Sequence, residues 1–399
     1  MTPADPVPHA DIGTRFLSAL EAVLPGQRPL ALHEPLFGGN EWAYVKECID
    51  TGWVSSVGKY VDEFERRLAE ITGSRYAIAT FNGTAALHIA LKLAGVQLDD
   101  EVLVPALSFV ATANAVAHCG ASPHFVDCDE KTLGLDAGAL RDYLRSIVDR
   151  SSGFSRNRTT GRKLAAIVPM HTFGHPSDID GLIGVAADFG IPLVEDAAES
   201  LGSYYHGRHT GTFGMFGTLS FNGNKIITTG GGGAILTQDS QLAHHAKQIT
   251  TTAKRPHRWE FFHNEVAWNY RLPNLNAALG CAQLERLDEF LVSKRALADR
   301  YRTAFANNPD VQFADEPANC RSNYWLSTVL LRKPTMAVRD KLLAVANDAG
   351  FMARPAWALL NLLPMYASCP SAPLPVAEQL AAAIINLPSS PSIVIGARH

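Results

Sequence analysis

Between about Arg75 and Leu236 the chain alternates short apolar runs with segments of helical character. The runs are Tyr76 to Thr80, Glu101 to Val104, His124 to Asp127, Ala165 to Pro169, Pro192 to Asp196, Thr218 to Phe221 and Gly233 to Leu236. Each has the length of a strand, and the segments between them supply helices. Gly83 to Ala94 is an example, with Ala85, Ala86, Leu87, Ile89, Ala90 and Leu91 in a strongly helix-forming context. The rhythm predicts an α/β domain around a mostly parallel sheet, with ligand groups where strands run into helices.

Beyond about Asn276 the pattern changes to a helix over Ala277 to Ala298, a strand over Trp325 to Leu331 and a helix over Ala337 to Ala349. The expected division is a large domain over residues 1–275, with an N-terminal arm over about 1–40, and a smaller α+β domain over 276–399. Arg150 to Lys163 is polar, basic and aperiodic, and reads as a surface loop.

A length of 399 residues with 47% hydrophobic and 19% charged content leaves ample material for a large core. Lys plus Arg number 35 against 39 Asp plus Glu, a formal charge of -4. That balance gives no bulk electrostatic reason to expect nucleic acid or an anionic membrane as partner, so an anionic ligand needs a local site. No stretch reaches the roughly 18 apolar residues that span a bilayer, and Met1 to Asp11 lacks a basic patch followed by an apolar run. A cytoplasmic protein is expected. Cys48, Cys119, Cys128, Cys281, Cys320 and Cys369 show no ligand-like spacing, so neither a metal site nor a disulfide framework is expected.

The strongest local signal for chemistry is Ser220-Phe221-Asn222-Gly223-Asn224-Lys225, followed by the four glycines Gly230 to Gly233. A lysine leaving a strand beside a glycine-rich turn is well placed to reach a cofactor; an exposed loop lysine is the plain alternative. Upstream, Ile191 to Val194 runs into Glu195-Asp196-Ala197-Ala198-Glu199, which sets Asp196 at a strand's carboxyl end. Pyridoxal chemistry needs such an acid to keep a pyridine nitrogen protonated, whereas a simple helix cap needs it equally. Here Ala197 and Ala198 are expected to leave room for a flat ring. Asn82-Gly83-Thr84 opens a helix directly after a strand, where backbone N–H groups and the Thr84 hydroxyl form a natural phosphate cradle. Phe109 also follows a strand and is either a ring-stacking residue or core. His171, after Ala165 to Pro169, is expected near the pocket, as a functional or a structural histidine.

Together, and in this order, these segments resemble the fold type I pyridoxal-phosphate enzymes of the DegT/StrS sugar aminotransferase family. The resemblance runs from roughly Glu41 to Pro388 and includes Gly52-Trp53-Val54-Ser55-Ser56-Val57-Gly58 and Asn269-Tyr270-Arg271-Leu272-Pro273-Asn274. It implies pyridoxal 5'-phosphate carried on Lys225, Asp196 against the pyridine nitrogen, Phe109 on the ring, and Gly83, Thr84 and Ser220 on the phosphate. It also implies a homodimer with shared active sites, in which Asn269 reaches the neighbouring subunit's phosphate and Ser55, His171, Tyr270 and Arg271 serve the substrate side. Glu199 departs from the family, where many relatives carry Gln or His, and this puts the bond to the cofactor's ring hydroxyl in question.

The resemblance further implies transfer of an amino group from L-glutamate to C4 of a nucleotide-linked 4-keto-6-deoxy sugar, as in legionaminic acid, bacillosamine or perosamine pathways, for a surface glycan. One rival is a dehydratase with the same cofactor, which would carry a histidine in place of Lys225; another is a non-catalytic cofactor-binding regulator on the same scaffold. A dinucleotide-dependent oxidoreductase would need a G-x-G-x-x-G turn, which Asn82-Gly83-Thr84-Ala85 does not provide.

Overall fold

A computed structural model describes residues 11–151 and 153–396. Seven strands form the central sheet: β1 (Tyr76–Thr80), β2 (Glu101–Pro105), β3 (Ser122–Val126), β4 (Leu164–Ile167), β5 (Val194–Asp196), β6 (Phe216–Ser220) and β7 (Gly233–Thr237). Their order is β1-β7-β6-β5-β4-β2-β3, with β4 and β5 joined through the parallel bridges Ile167 to Leu193 and Met170 to Asp196. Only β7 runs antiparallel to its neighbours, so the expected mostly parallel sheet is present. Its strands are buried nearly throughout, as helices on both faces require.

Side-chain caps fix where the helices start. Asn82 Oδ1 accepts the N–H of Ala85 at 2.8 Å to open Gly83–Leu93, and Asp136 does the same for Ala139 at the start of Ala137–Ile147. Two glycines let strands and helix meet at the sheet's carboxyl edge. A Cβ on Gly233 would lie 2.4 Å from the Asn82 carbonyl, and one on Gly83 would lie 2.8 Å from Ser220 Cβ. The start of the helix is therefore pressed against the end of β6.

The smaller unit is an antiparallel sheet in the order Val311–Phe313, Ser327–Leu331, Ile384–Leu387, Arg354–Pro355. Its core combines Leu297, Tyr301, Phe305, Val329 and Leu342 with Phe16 and Leu20 of the N-terminal helix Ile12–Val23. The arm expected to accompany the large domain thus supplies a helix to the smaller one; its first ten residues lie outside the described residues. The helix expected over Ala277 to Ala298 is two, Asn274–Leu284 and Leu287–Phe305. The first buries Ala277, Ala278 and Cys281 in the large domain's core with Phe64 and Leu68, so the division expected at residue 276 cuts a helix of the large domain.

The segment 150–163 is more than a solvated loop. Arg156–Asn157 pairs with Val148–Asp149, and Asn157 and Thr160 both donate to the carboxylate of Glu101, which is fully buried in β2. His124 of β3 completes that carboxylate's partners at 2.9 Å. The loop's polar composition reflects a buried charge it must satisfy. All six cysteines are free, with Cys48, Cys119, Cys128 and Cys281 buried. Among the described residues no helix is long and apolar enough to cross a membrane, and no group of three His, Cys, Asp or Glu is placed to hold a metal.

Candidate active site

At the carboxyl edge of the sheet, β1, β5 and β6 run into turns that enclose a cavity of about 340 Å³. Gly83, Thr84, Phe109, Asp196, Glu199, Ser220 and Lys225 all line it, so residues spread over more than 140 positions converge on one space. Among described residues, the first turn of Gly83–Leu93 has one N–H group, that of Ala85, taken by the Asn82 side chain. Those of Gly83 and Thr84 precede any intrahelical acceptor, which makes this helix start fit an anion. The absent Cβ of Gly83 is part of that cradle, because any side chain there would occupy the space beside Ser220 Oγ, 3.2 Å away.

Asp196 closes β5 with its carboxylate buried. Oδ2 accepts from Thr112 Oγ1 at 2.8 Å and Oδ1 from the Ala198 N–H at 3.2 Å, both neutral donors. Burial raises its pKa above the usual carboxylate value in spite of the bonds from Thr112 and Ala198. A carboxylate held this way is short of a cation, and a protonated pyridine nitrogen would supply one. Thr112 is itself oriented by Ser108 Oγ at 2.7 Å.

Lys225 lies in the turn after β6, its N–H bonded to the Asn222 carbonyl at 3.0 Å. Nζ donates to Glu199 Oε1 at 3.1 Å and sits 3.9 Å from the centre of the Trp325 ring. Trp325 is fixed in turn by its indole N–H, which donates to the Asn224 carbonyl at 2.7 Å. Glu199 receives the Phe173 N–H on Oε2 at 2.9 Å. Burial pushes the Glu199 carboxyl up to about 7, although Lys225 and the Phe173 N–H pull the other way.

Several expectations change. Ala198 lines the cavity, but Ala197 is buried in the core, its Cβ 3.1 Å from where a Gly211 Cβ would stand; the room for a flat ring lies over Ala198 alone. His171 does not touch the cavity. Its Nδ1 accepts the Ser177 N–H at 3.1 Å, so Nε2 carries the proton and faces Glu195 Oε2, also at 3.1 Å. Glu195 further accepts the N–H groups of Gly211, Phe213 and Gly214. Successive strand residues point to opposite faces, so the partner of Glu195 falls behind the sheet when Asp196 faces the site. His171 is thus a structural histidine.

Ser55, Asn269, Tyr270 and Arg271 do not line this chain's own cavity. The Ser55 carbonyl accepts the Asn274 N–H, Asn269 Oδ1 accepts from Arg271 Nε at 2.8 Å, and Tyr270 packs edge-on against Phe81 with ring centres 5.1 Å apart. Two wall residues escaped the sequence reading, Trp325 and Trp357, the latter 6.1 Å from Phe109 and 5.1 Å from Phe173 between ring centres. Both come from the smaller unit, more than 90 positions after Lys225, and the only signal was the scarcity of tryptophan, 6 in the chain.

The model of the DegT/DnrJ/EryC1/StrS aminotransferase family matches residues 36–395. Over 366 residues the chain is 36% identical to GDP-perosamine synthase of Caulobacter vibrioides, covering 90% of this chain and 93% of that protein. Among solved structures, the aminotransferase TlmJ from Streptoalloteichus hindustanus aligns with a TM-score of 0.81 at 30% identity, over 90% of this chain and 93% of that one. DesI, solved in the presence of its TDP-sugar product, aligns with a TM-score of 0.79 at 29% identity, over 93% and 91% respectively.

Proposed function

The chain belongs to the DegT/DnrJ/EryC1/StrS aminotransferase family, and from that premise we propose that it carries an amino group from L-glutamate to C4 of a nucleotide-linked 4-keto-6-deoxy sugar, in the cytoplasm, for a surface glycan. It is a transaminase with pyridoxal 5'-phosphate as cofactor. The observation that carries the site assignment is the convergence of Lys225, Asp196 and the Gly83, Thr84 and Ser220 cradle on one cavity. A nucleotide-linked acceptor is supported by the likeness to a GDP-perosamine synthase and to DesI with its TDP-sugar product, and GDP is the nucleotide to test first.

When bound, the cofactor supplies an electron sink for the carbon that loses a proton. Gly83, Thr84 and Ser220 hold its phosphate, and Phe109 covers its ring. Asp196 holds a proton on the ring nitrogen, with Thr112 keeping the carboxylate in place. Lys225 Nζ would take the proton from the α-carbon of glutamate, which leaves as a 2-oxo acid, and would deliver a proton to C4 of the sugar in the second half-reaction. Glu199 positions Nζ through its 3.1 Å contact.

A homodimer is part of the proposal, with Ser55, Asn269, Tyr270 and Arg271 completing the neighbouring copy's site. Its support is the exposed apolar side chains that flank these residues in the chain: Trp53 and Val57 are 57% and 62% exposed, Phe261 and Val266 are 78% and 90% exposed. Exposed apolar side chains of this kind are what a second copy would cover.

Purified enzyme with L-glutamate is incubated with UDP- and GDP-linked 4-keto-6-deoxy sugars, and amine incorporation is followed by mass spectrometry. Amination at C4 is the expected result. No amination of any sugar would refute the acceptor assignment and leave the transaminase standing; a deoxygenated product would favour the dehydratase. Lys225→Ala should lose both the visible absorbance of bound cofactor and turnover, and retention of both would refute the role of Lys225.

A further inference from the structure

Next to the cofactor cavity lies a second one of about 450 Å³, within the size range of small-molecule sites. Asn224, Trp325 and Trp357 line both, so the two chambers share a wall. The second is lined also by His33, Asn386 and Phe173, among others. His33 comes from the segment preceding the large domain's first helix, and none of the chemistry described so far uses it.

The imidazole of His33 is incomplete as it stands. Both ring nitrogens are buried, and among the described residues neither has a hydrogen-bond partner. Leaving a buried polar atom unpaired costs about 1–3 kcal/mol, and such atoms in native proteins call for an explanation. Burial, with the positive charges of Lys294 and Lys225 adding to it, holds the ring well below its ordinary pKa and therefore neutral. A neutral imidazole offers one N–H donor and one acceptor nitrogen. That complement suits a group that both donates and accepts, as a hydroxyl does, whereas a carboxylate wants donors only. Asn386 adds a matching feature: its Oδ1 is occupied by Thr328 Oγ1 at 2.7 Å, which leaves the side-chain NH₂ as a donor. Trp325, Trp357 and Phe173 provide flat apolar walls for the C–H faces of a ring.

We propose that this chamber is the subsite for the sugar ring of the acceptor, and that His33 is a specificity-determining residue that binds the ring's hydroxyls. The inference rests on the nucleotide-sugar reading above. It assigns the two substrates of the alternating reaction to different demands on the protein: the sugar ring needs His33, and glutamate does not. Removing the imidazole therefore separates the half-reactions.

The test compares wild type, His33→Phe and His33→Gln as holoenzymes, with retained cofactor absorbance as the check on folding. The glutamate half-reaction is read in single turnover from the cofactor spectrum. The acceptor half-reaction is read from the nucleotide keto sugar that the wild type aminates, and binding of the corresponding nucleotide amino sugar is measured by calorimetry. His33→Phe should raise KM for the acceptor and weaken amino-sugar binding, each by about tenfold, as expected for the loss of one or two neutral hydrogen bonds. Its glutamate half-reaction should stay within about twofold of wild type. His33→Gln, which restores a donor and an acceptor, should recover most of the acceptor affinity. Equal loss in both half-reactions would place glutamate in the chamber and overturn the inference, as would unchanged acceptor constants in His33→Phe. A wild type that completes the glutamate half-reaction and aminates no sugar would instead refute the acceptor reading, and this inference with it.

Discussion

Glu199 should destabilise the cofactor-free protein above neutral pH, and its amide replacement should reverse that. The carboxyl is buried, its one cationic partner among the described residues is Lys225 at 3.1 Å, and burial raises it from an ordinary 4.5 to about 7. For an acid raised on folding, the native state binds the extra proton between those two values. Stability therefore falls as pH rises through that window and levels off above it. At about 1.4 kcal/mol per pKa step, the window corresponds to roughly 3 kcal/mol. Glu199→Gln mimics the protonated acid, and its Oε1 can still accept from Lys225. Urea midpoints of wild type and Glu199→Gln, both stripped of cofactor, should agree near pH 4.5 and diverge toward pH 8 in favour of the variant. A variant less stable than wild type at pH 8, or a difference that does not change with pH, would refute the reasoning.

Thr112→Val leaves Asp196 Oδ2 buried without its 2.8 Å donor; a loss of about 1–3 kcal/mol is expected by denaturant titration, together with weaker cofactor retention on dialysis. Gly83→Ala drives a methyl to 2.8 Å from Ser220 Cβ, which should cost about 1–3 kcal/mol and weaken cofactor binding in a spectroscopic titration; unchanged affinity would remove Gly83 from the cradle. Phe16→Ala empties a fully buried position in the smaller unit's core and should cost about 3–5 kcal/mol while the cofactor absorbance at saturating cofactor stays intact. His171→Asn should lower stability through Glu195 and leave the KM for both substrates near wild type; a large change in either KM would return His171 to the site.

What the chain's linear order reveals about this site follows from how locally each part is built. Asp196, Ser220 and Gly83 each stand where an apolar run breaks into a turn, and a strand's end is fixed by residues a few positions away. Such positions are legible without the fold, because every parallel strand delivers its carboxyl end to the same edge. The parity of a strand is equally local, and it separates His171 from the site: the histidine bonds to Glu195, one residue before Asp196, and one residue is the difference between the two faces of the sheet. Trp325, Trp357 and His33 belong to another class. Each reaches the cavities because a separate sheet and an N-terminal segment pack against the large domain, and no periodicity within their own segments encodes that docking. The same holds for helix Ile12–Val23, whose apolar stripe shows that it must be buried but not against which core. The division has a functional consequence. The groups that handle the cofactor sit at strand and helix ends of one sheet, whereas the walls that select a substrate are supplied by segments distant in sequence. Relatives on this scaffold can therefore keep the first set and exchange the second. On this argument, substitutions at His33 and Asn386, which line the second cavity and not the first, should alter which acceptor is used while leaving the glutamate half-reaction in place.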